Sequence, residues 1–158
     1  MLRIEKILCA VDFSEPSRAA LRMACDLAQR FDAKLLLLHV YQVPAYPLPD
    51  GVILPSPVTV SELFNQVDRA LDRWKSEAAT LGARNVEAEA IEGPAWRGIV
   101  AHAGRGKFDL VVIGTHGHTG LKHLLLGSVA ERVVRHAPCP VLTVRPVGEV
   151  APEEGHIE

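Results

Sequence analysis

The chain has 158 residues, of which 48% are hydrophobic and 23% charged, a composition that predicts one compact domain with a sizeable core and excludes a second full domain. The net charge of −2 indicates no bulk attraction to nucleic acid or to anionic lipid. No apolar run approaches the ~20 residues of a membrane span, and the charged first residues lack the order of a secretory signal. We therefore expect neither nucleic acid nor membrane as a partner.

The cysteines indicate the cellular compartment of the protein. Cys9, Cys25 and Cys139 are odd in number and lie in separate apolar runs. Such residues are typical of reduced thiols packed in the core of a protein from a reducing environment. We expect a cytoplasmic protein.

The first half of the chain predicts two buried strands, over 6–11 and 35–40, because both runs are apolar throughout. Between them, Ser14 can cap a helix with Pro16 in its first turn. The apolar residues of that helix recur at helical spacing and predict a buried stripe, formed by Ala20, Leu21, Ala24, Leu27, Ala28 and Phe31. Residues 41–60 hold five prolines and predict an extended crossover segment without regular structure.

The rest of the chain continues the alternation of helix and strand. The predicted elements are a helix over 63–81, an edge strand over 86–90, a helix with Pro94 in its first turn, a strand over 110–113, a helix from Ser128 and a strand over 141–144. This order predicts an α/β fold of the Rossmann-like kind, an open five-stranded parallel sheet with helices on both faces. We expect a single domain over 1–146, and a disordered acidic tail over 147–158.

The order of the strands predicts where a ligand binds. If the first three strands run outward and the fourth returns beside the first, the sheet reverses its order between strands one and four. Asp12 and Gly114 would then face each other across the crevice at the ends of these strands. Open α/β sheets bind their ligands at such a position.

The residues after the fourth strand carry the strongest motif in the chain. Gly114, Gly117, Gly127 and Ser128 follow the spacing G-x2-G-x9-G-S. Glycines permit positive φ and leave backbone N–H groups open to a ligand. Ser128 and Glu131 fit a capping box, which predicts the start of a helix. A glycine-rich loop that leads into a helix start is typical of a phosphate site.

A plain strand-to-helix connection explains the same residues, because Ser128 could cap its helix without any ligand. The P-loop signature G-x4-G-K-[ST] is missing. The dinucleotide fingerprint G-x-G-x-x-G is missing after the first strand as well. A phosphate group would therefore be held in some other geometry.

Four stretches of the sequence, 10–14, 113–117, 126–131 and 138–141, closely resemble the universal stress protein family, and the resemblance covers nearly the whole chain. It implies an α/β protein that is commonly a homodimer. The subgroup with the spacing G-x2-G-x9-G-[ST] binds ATP, and this chain has the spacing intact. The resemblance therefore implies an ATP-binding regulatory or stress-response protein, with Mg²⁺ as a possible companion of the nucleotide.

The resemblance also implies a role for each site residue. Ala10 and Val40 would lie near adenine, and Asp12 would bind ribose hydroxyls or help to hold a metal. The ribose and phosphate path would be lined by Ile113, Gly114, His116 and Gly117. Backbone N–H groups and a hydroxyl would reach the phosphates from Gly127, Ser128 and Val129. Some nucleotide-binding relatives have arginine in place of His116, and a neutral imidazole compensates less charge.

Two other activities remain open at this point. A slow ATPase or phosphotransferase would need a positioned base, and only Asp12 and the loop histidines offer one. A dimeric interaction module without nucleotide is disfavoured by the intact spacing. Zinc binding by His116, His118 and His123 lacks a nearby cysteine or carboxylate.

A homodimer is expected through the last strand, Val141, Leu142, Thr143 and Val144. This strand is a sheet edge by chain order and carries no charge to prevent pairing. Trp74 and Trp96 have no basic surroundings in the sequence and do not indicate stacking on bases.

Overall fold

The computed structural model describes residues 3–117 and 126–148. Helices and strands alternate along this part of the chain, as β1 Lys6–Ala10, α1 Glu15–Phe31, β2 Lys34–Tyr41, β3 Tyr46–Leu48, β4 Gly51–Ile53, α2 Pro57–Thr80, β5 Val86–Glu92, α3 Ala95–Arg105, β6 Leu110–Gly114, α4 Ser128–His136 and β7 Val141–Val144. The acidic tail predicted for 147–158 falls, apart from its first two residues, outside the described residues.

The main sheet has five parallel strands in the order β5-β2-β1-β6-β7. The central strand β1 pairs with β2 on one side and with β6 on the other, so that Cys9 lies opposite both Leu37 and Val112. This confirms the predicted fold class. The direction in which successive strands are added to the sheet reverses between β1 and β6, as expected. The carboxyl ends of these two strands lie side by side.

Two cores lie on the two faces of the sheet, because successive side chains of each strand point in opposite directions. Ile7 and Cys9 of β1 pack with α1 and α2 on one face. Leu8 and Ala10 pack with α3 and α4 on the other. These four residues of β1 are buried, which is why the strand is apolar after its exposed first residue, Lys6.

Three predictions about local structure were wrong. Residues 41–60 are not an irregular crossover, because they contain the antiparallel hairpin of β3 and β4 and the first turn of α2. That helix begins at Pro57, since the Ser56 hydroxyl accepts the Thr59 N–H at 3.2 Å. Phe31 is 48% exposed rather than buried, because α1 ends there and the chain turns away at Asp32 with φ of 53°.

Helix α3 lies close against β2, which positions one wall of the site described below. Gly98 makes this possible, because a Cβ at that position would lie 3.0 Å from both methyl groups of Val40. Pro94 precedes α3 as its N-cap and is not in its first turn as predicted. None of the described helices is long and apolar enough to cross a membrane.

Gly114 brings the end of β6 into contact with the backbone of α1. A Cβ on Gly114 would lie 2.7 Å from the carbonyl carbon of Pro16, and backbone cannot move aside as a flexible side chain can. We therefore expect Gly114→Ala to lower the free energy of unfolding by about 1–3 kcal/mol. Urea denaturation followed by circular dichroism measures this change.

Gly104→Ala provides the matched control for this prediction. Gly104 is inside α3, and its Cβ would meet only Pro138, at 3.7 Å. Alanine is the better helix former, so this variant should gain roughly 0.5–1 kcal/mol. Equal stability of the two variants would contradict the close approach at Gly114.

Candidate functional site

A cavity of about 490 Å³ opens at the carboxyl ends of β1 and β6, in the size range of sites for small molecules. All ten site residues predicted from the sequence line it together, namely Ala10, Asp12, Val40, Ile113, Gly114, His116, Gly117, Gly127, Ser128 and Val129. Their lining of one cavity is observed, whereas their individual roles toward a nucleotide remain predictions.

Seven further residues line the cavity that sequence reasoning did not find: Val11, Ser17, Leu38, Ala95, Ile99, Thr115 and Ala130. Three of these had a signal in the sequence that could have identified them. Leu38 lies two residues before Val40 and therefore shares its face of β2. Ala95 and Ile99 are four residues apart at the start of α3 and share a helix face, but only the packing of α3 on β2 brings that face to the site.

The carboxylate of Asp12 is fixed in position by the turn that follows β1. Its Oδ1 accepts a hydrogen bond from the Ser14 N–H at 3.0 Å and another from the Ser14 hydroxyl. The Asp12 N–H donates to Oγ of Ser17 at 3.0 Å. Phe13, between them, has a φ of 65°, an uncommon conformation for a residue with a side chain. Asp12 is thus held at the cavity wall by its own turn and the first turn of α1.

The three motif glycines allow neighbouring groups to approach the backbone closely. They do not adopt the positive φ that the sequence led us to expect. Gly114, Gly117 and Gly127 all lie outside the left-handed region, with Gly127 at a φ of −68°. A Cβ on Gly117 would lie 2.5 Å from Oδ2 of Asp12. A Cβ on Gly127 would lie 3.0 Å from the Thr115 carbonyl oxygen. A side chain at any of the three positions would push apart groups that meet at the site.

The backbone of Thr115 joins three elements at the base of the cavity. Its N–H donates to the Val144 carbonyl at 3.0 Å, and its carbonyl accepts the Gly127 N–H at 2.6 Å. The Thr115 side chain is only 2% exposed. The Gly127 N–H is therefore already hydrogen-bonded inside the protein, and its predicted contact with phosphate stays a prediction.

Helix α4 begins at the cavity with a different cap from the one expected. Gly127 is the N-cap, Ser128 is already helical, and the helix has no side-chain cap hydrogen bond. The predicted capping box is thus wrong, because the extended backbone conformation of a cap falls on Gly127. The Glu131 N–H makes the first bond of the helix, to the Gly127 carbonyl. The N–H groups of residues 128–130 precede that bond and have no partner within the helix.

Few charged side chains occur among the described residues that line the cavity. Among the described lining residues Asp12 is the only charged side chain. His116 is half-buried, and its Nδ1 lies 3.1 Å from the Thr115 hydroxyl. No group of three metal-ligating side chains occurs within 3–117 and 126–148. His118 and His123 of the zinc alternative lie outside the described residues.

Structures similar to this one include proteins with adenine nucleotides. A universal stress protein in complex with cAMP has a TM-score of 0.66 and 25% identity, over 91% of this chain and 98% of that protein. Two others share the fold at 21% and 23% identity, with TM-scores of 0.63 and 0.62 and at least 91% of each chain covered. They come from Archaeoglobus fulgidus, in complex with dAMP, and from Arabidopsis thaliana, with AMP bound.

Similarity to known proteins extends over most of the chain. A universal stress protein of Methanocaldococcus jannaschii is 38% identical over 145 residues, which span 89% of this chain and 82% of the relative. The structure of the universal stress protein UspA from Lactobacillus plantarum has 31% identity and a TM-score of 0.77, over 90% of this chain and 99% of that one. The model of the universal stress protein family matches residues 3–145. The chain therefore belongs to the universal stress protein family.

Proposed function

We propose that this chain is a nucleotide-binding regulatory protein of the stress response that binds ATP, together with Mg²⁺, in the cavity between β1 and β6. The observation that carries the proposal is the composition of the cavity, which is apolar at one end and rich in backbone donors at the other. An adenine nucleotide is divided in a matching way, because its base is apolar and its phosphates are anionic. The relatives that bind AMP, dAMP or cAMP support the class of ligand.

The base would occupy the apolar end. Ala10 at the end of β1 and Leu38, which pairs with it on β2, are both buried, and Ile99 of α3 also lines this part of the cavity. Val40 and Ile113 lie beside them. A flat aromatic base gains free energy by leaving water for such a surface, at about 25 cal/mol per Å² buried.

The phosphates would lie at the start of α4. The N–H groups of Ser128, Val129 and Ala130 precede the first helix bond, and the positive end of the helix dipole is there. Gly117 also lines the cavity, and the absence of a side chain there would leave its backbone open to the ligand. Ser128 adds a hydroxyl.

The Asp12 carboxylate at the cavity wall explains why we include Mg²⁺. A triphosphate brings several negative charges into a cavity whose one described charged side chain is the Asp12 carboxylate. A divalent cation between carboxylate and phosphates would turn this repulsion into attraction, and oxygen ligands suit Mg²⁺. Asp12 would therefore act on the nucleotide through the cation.

Gly117→Val is the sharpest test of the binding site. The valine side chain would displace the Asp12 carboxylate, since its Cβ alone would lie 2.5 Å from Oδ2 of Asp12. We expect calorimetry with ATP and Mg²⁺ to show at least roughly tenfold weaker binding, about 1.4 kcal/mol, with thermal stability retained. Gly104→Ala, in α3, serves as the control and should bind as the wild type does. A wild-type protein without measurable ATP affinity would refute the proposal.

Hydrolysis of the bound ATP should be slow. A fast ATPase needs an oriented water and a positioned base, and the hydrogen bonds from Ser14 already occupy Oδ1 of Asp12. We expect phosphate release far below the ~10 per second typical of enzymes. A rate in that range that is abolished by Asp12→Asn would establish an ATPase instead.

We also propose a homodimer through β7. The two edges of the sheet differ in charge. The other edge strand, β5, carries Glu87, Glu89 and Glu92, whereas β7 carries no charge. Charged side chains on an edge oppose pairing with another chain. The free edge of β7 is therefore the one suited to pair with its copy around a twofold axis.

The hydrogen bonds of β7 identify the residue best suited to test this interface. Pro140 and Val144 both accept from the β6 side, from the N–H groups of Val111 and Thr115. Backbone groups alternate in direction along a strand, so Thr143 directs its N–H and carbonyl away from β6. Leu142 and Val144 are unsuitable, because both side chains pack against the core beneath α1.

Thr143→Pro should disrupt the dimer and leave the fold intact. Proline removes the outward N–H but none of the bonds to β6, and edge strands tolerate it. We expect sedimentation velocity at micromolar concentration to show a dimer for the wild type and for the control Thr143→Val, and a monomer for Thr143→Pro. A monomeric wild type, or a folded proline variant that stays dimeric, would contradict this interface.

A cytoplasmic location is consistent with the cysteines. All three are free thiols. Burial raises the pKa of the Cys25 thiol to about 12 and raises that of Cys9 as well, so both are protonated and unreactive at neutral pH. Cys9 and Cys25 therefore act as small apolar residues of the core.

A further inference from the structure

A second cleft of about 580 Å³ lies on the opposite face of the sheet, between α2 and the turn after β1. It shares no lining residue with the cavity proposed for ATP. Its walls combine apolar and basic side chains, namely Phe13, His39, Leu63, Gln66, Val67, Arg69, Ala70 and Arg73.

The inner part of the cleft is apolar and rigid. The Phe13 ring packs against the rings of His39 and Trp74, with centroids 4.6 and 5.4 Å apart. The His39 ring is fixed from the other side, because its Nδ1 donates to the Val11 carbonyl at 2.8 Å. Val67 of α2 is buried beside them. An apolar group of a ligand would meet a preformed surface here.

The outer part of the cleft is basic. Arg69 and Arg73 are four residues apart on α2, so their side chains share one face of the helix. Within 3–117 and 126–148 neither guanidinium has a carboxylate oxygen within 4.0 Å. Among the described residues, Arg69 donates to the Asn65 carbonyl, at 3.0 Å. Two like charges at this spacing destabilise a helix unless an anion compensates them.

One acidic residue that could pair with Arg73 is engaged elsewhere. Glu77 follows Arg73 by one turn and could pair with it. Its carboxylate instead binds Arg18 of α1 at 2.6 Å. The guanidinium of Arg18 also lies over the Trp74 ring, 5.0 Å from its centroid. Arg69 and Arg73 thus line the cleft without an ion pair to any described carboxylate, and the acidic residues next to them on α2, Asp68 and Asp72, form none with them either.

We propose that the cleft is a binding site for a small organic anion with an apolar body. The apolar body would lie on Phe13 and Leu63, and the anionic group would bind to the guanidiniums of Arg69 and Arg73. Guanidinium groups match carboxylate geometry with two parallel hydrogen bonds. The amide of Gln66 lies at the same rim and adds a further donor.

Calorimetry with three probes tests the class of ligand. Decanoate carries both features, decanol lacks the charge, and acetate lacks the apolar body. We expect decanoate to bind the wild-type protein at least roughly tenfold more tightly than either of the others. No detectable decanoate binding would refute the site. Decanol binding as tight as that of decanoate would refute the role of the arginines.

Two variants locate the probe in the cleft. Arg69→Gln with Arg73→Gln should weaken decanoate binding roughly tenfold or more. The control, Arg22→Gln with Arg84→Gln, removes the same charge from exposed positions outside the cleft and should bind normally. Ala70→Phe should block binding by filling the cleft, without any change of charge. Undiminished binding by the Arg69 and Arg73 variant would place decanoate elsewhere and overturn the proposal.

Discussion

The candidate site depends on the backbone of one buried residue, Thr115. Through it β6 is joined to β7 by the bond to Val144, and to the start of α4 by the bond from Gly127. Both bonds are inside the protein, where an unmade backbone hydrogen bond costs about 1–3 kcal/mol. The position of α4, and with it the direction of the N–H groups of residues 128–130, therefore follows from the end of β6.

The sequence was sufficient to predict the five-stranded sheet and the position of the cavity that its site residues line. Apart from Lys6 at the start of β1, strands such as β1 and β6 are apolar because both faces are covered, and this pattern is visible without any structure. The alternation of strands and helices leaves few possible topologies. All ten predicted residues consequently line one cavity, although the family resemblance was needed to name them.

What the sequence did not predict depends on contacts between distant residues. The cap of α4 fell on Gly127 and not on Ser128, because the Thr115 carbonyl holds Gly127 in an extended conformation. The hairpin of β3 and β4 was concealed by prolines, which an antiparallel pair tolerates at its edges. The basic cleft needed α2 to be placed beside Phe13, and no local pattern indicates that packing.

The central claim is that an adenine nucleotide binds with its phosphates at the start of α4. Backbone amide spectra of ¹⁵N-labelled protein, recorded during titration with ATP and Mg²⁺, test it most directly. The account predicts the largest shifts at the amides of Ser128, Val129 and Ala130, with smaller ones at Val40. Unchanged spectra, or shifts confined to residues of the α2 cleft such as Ala70, would contradict it.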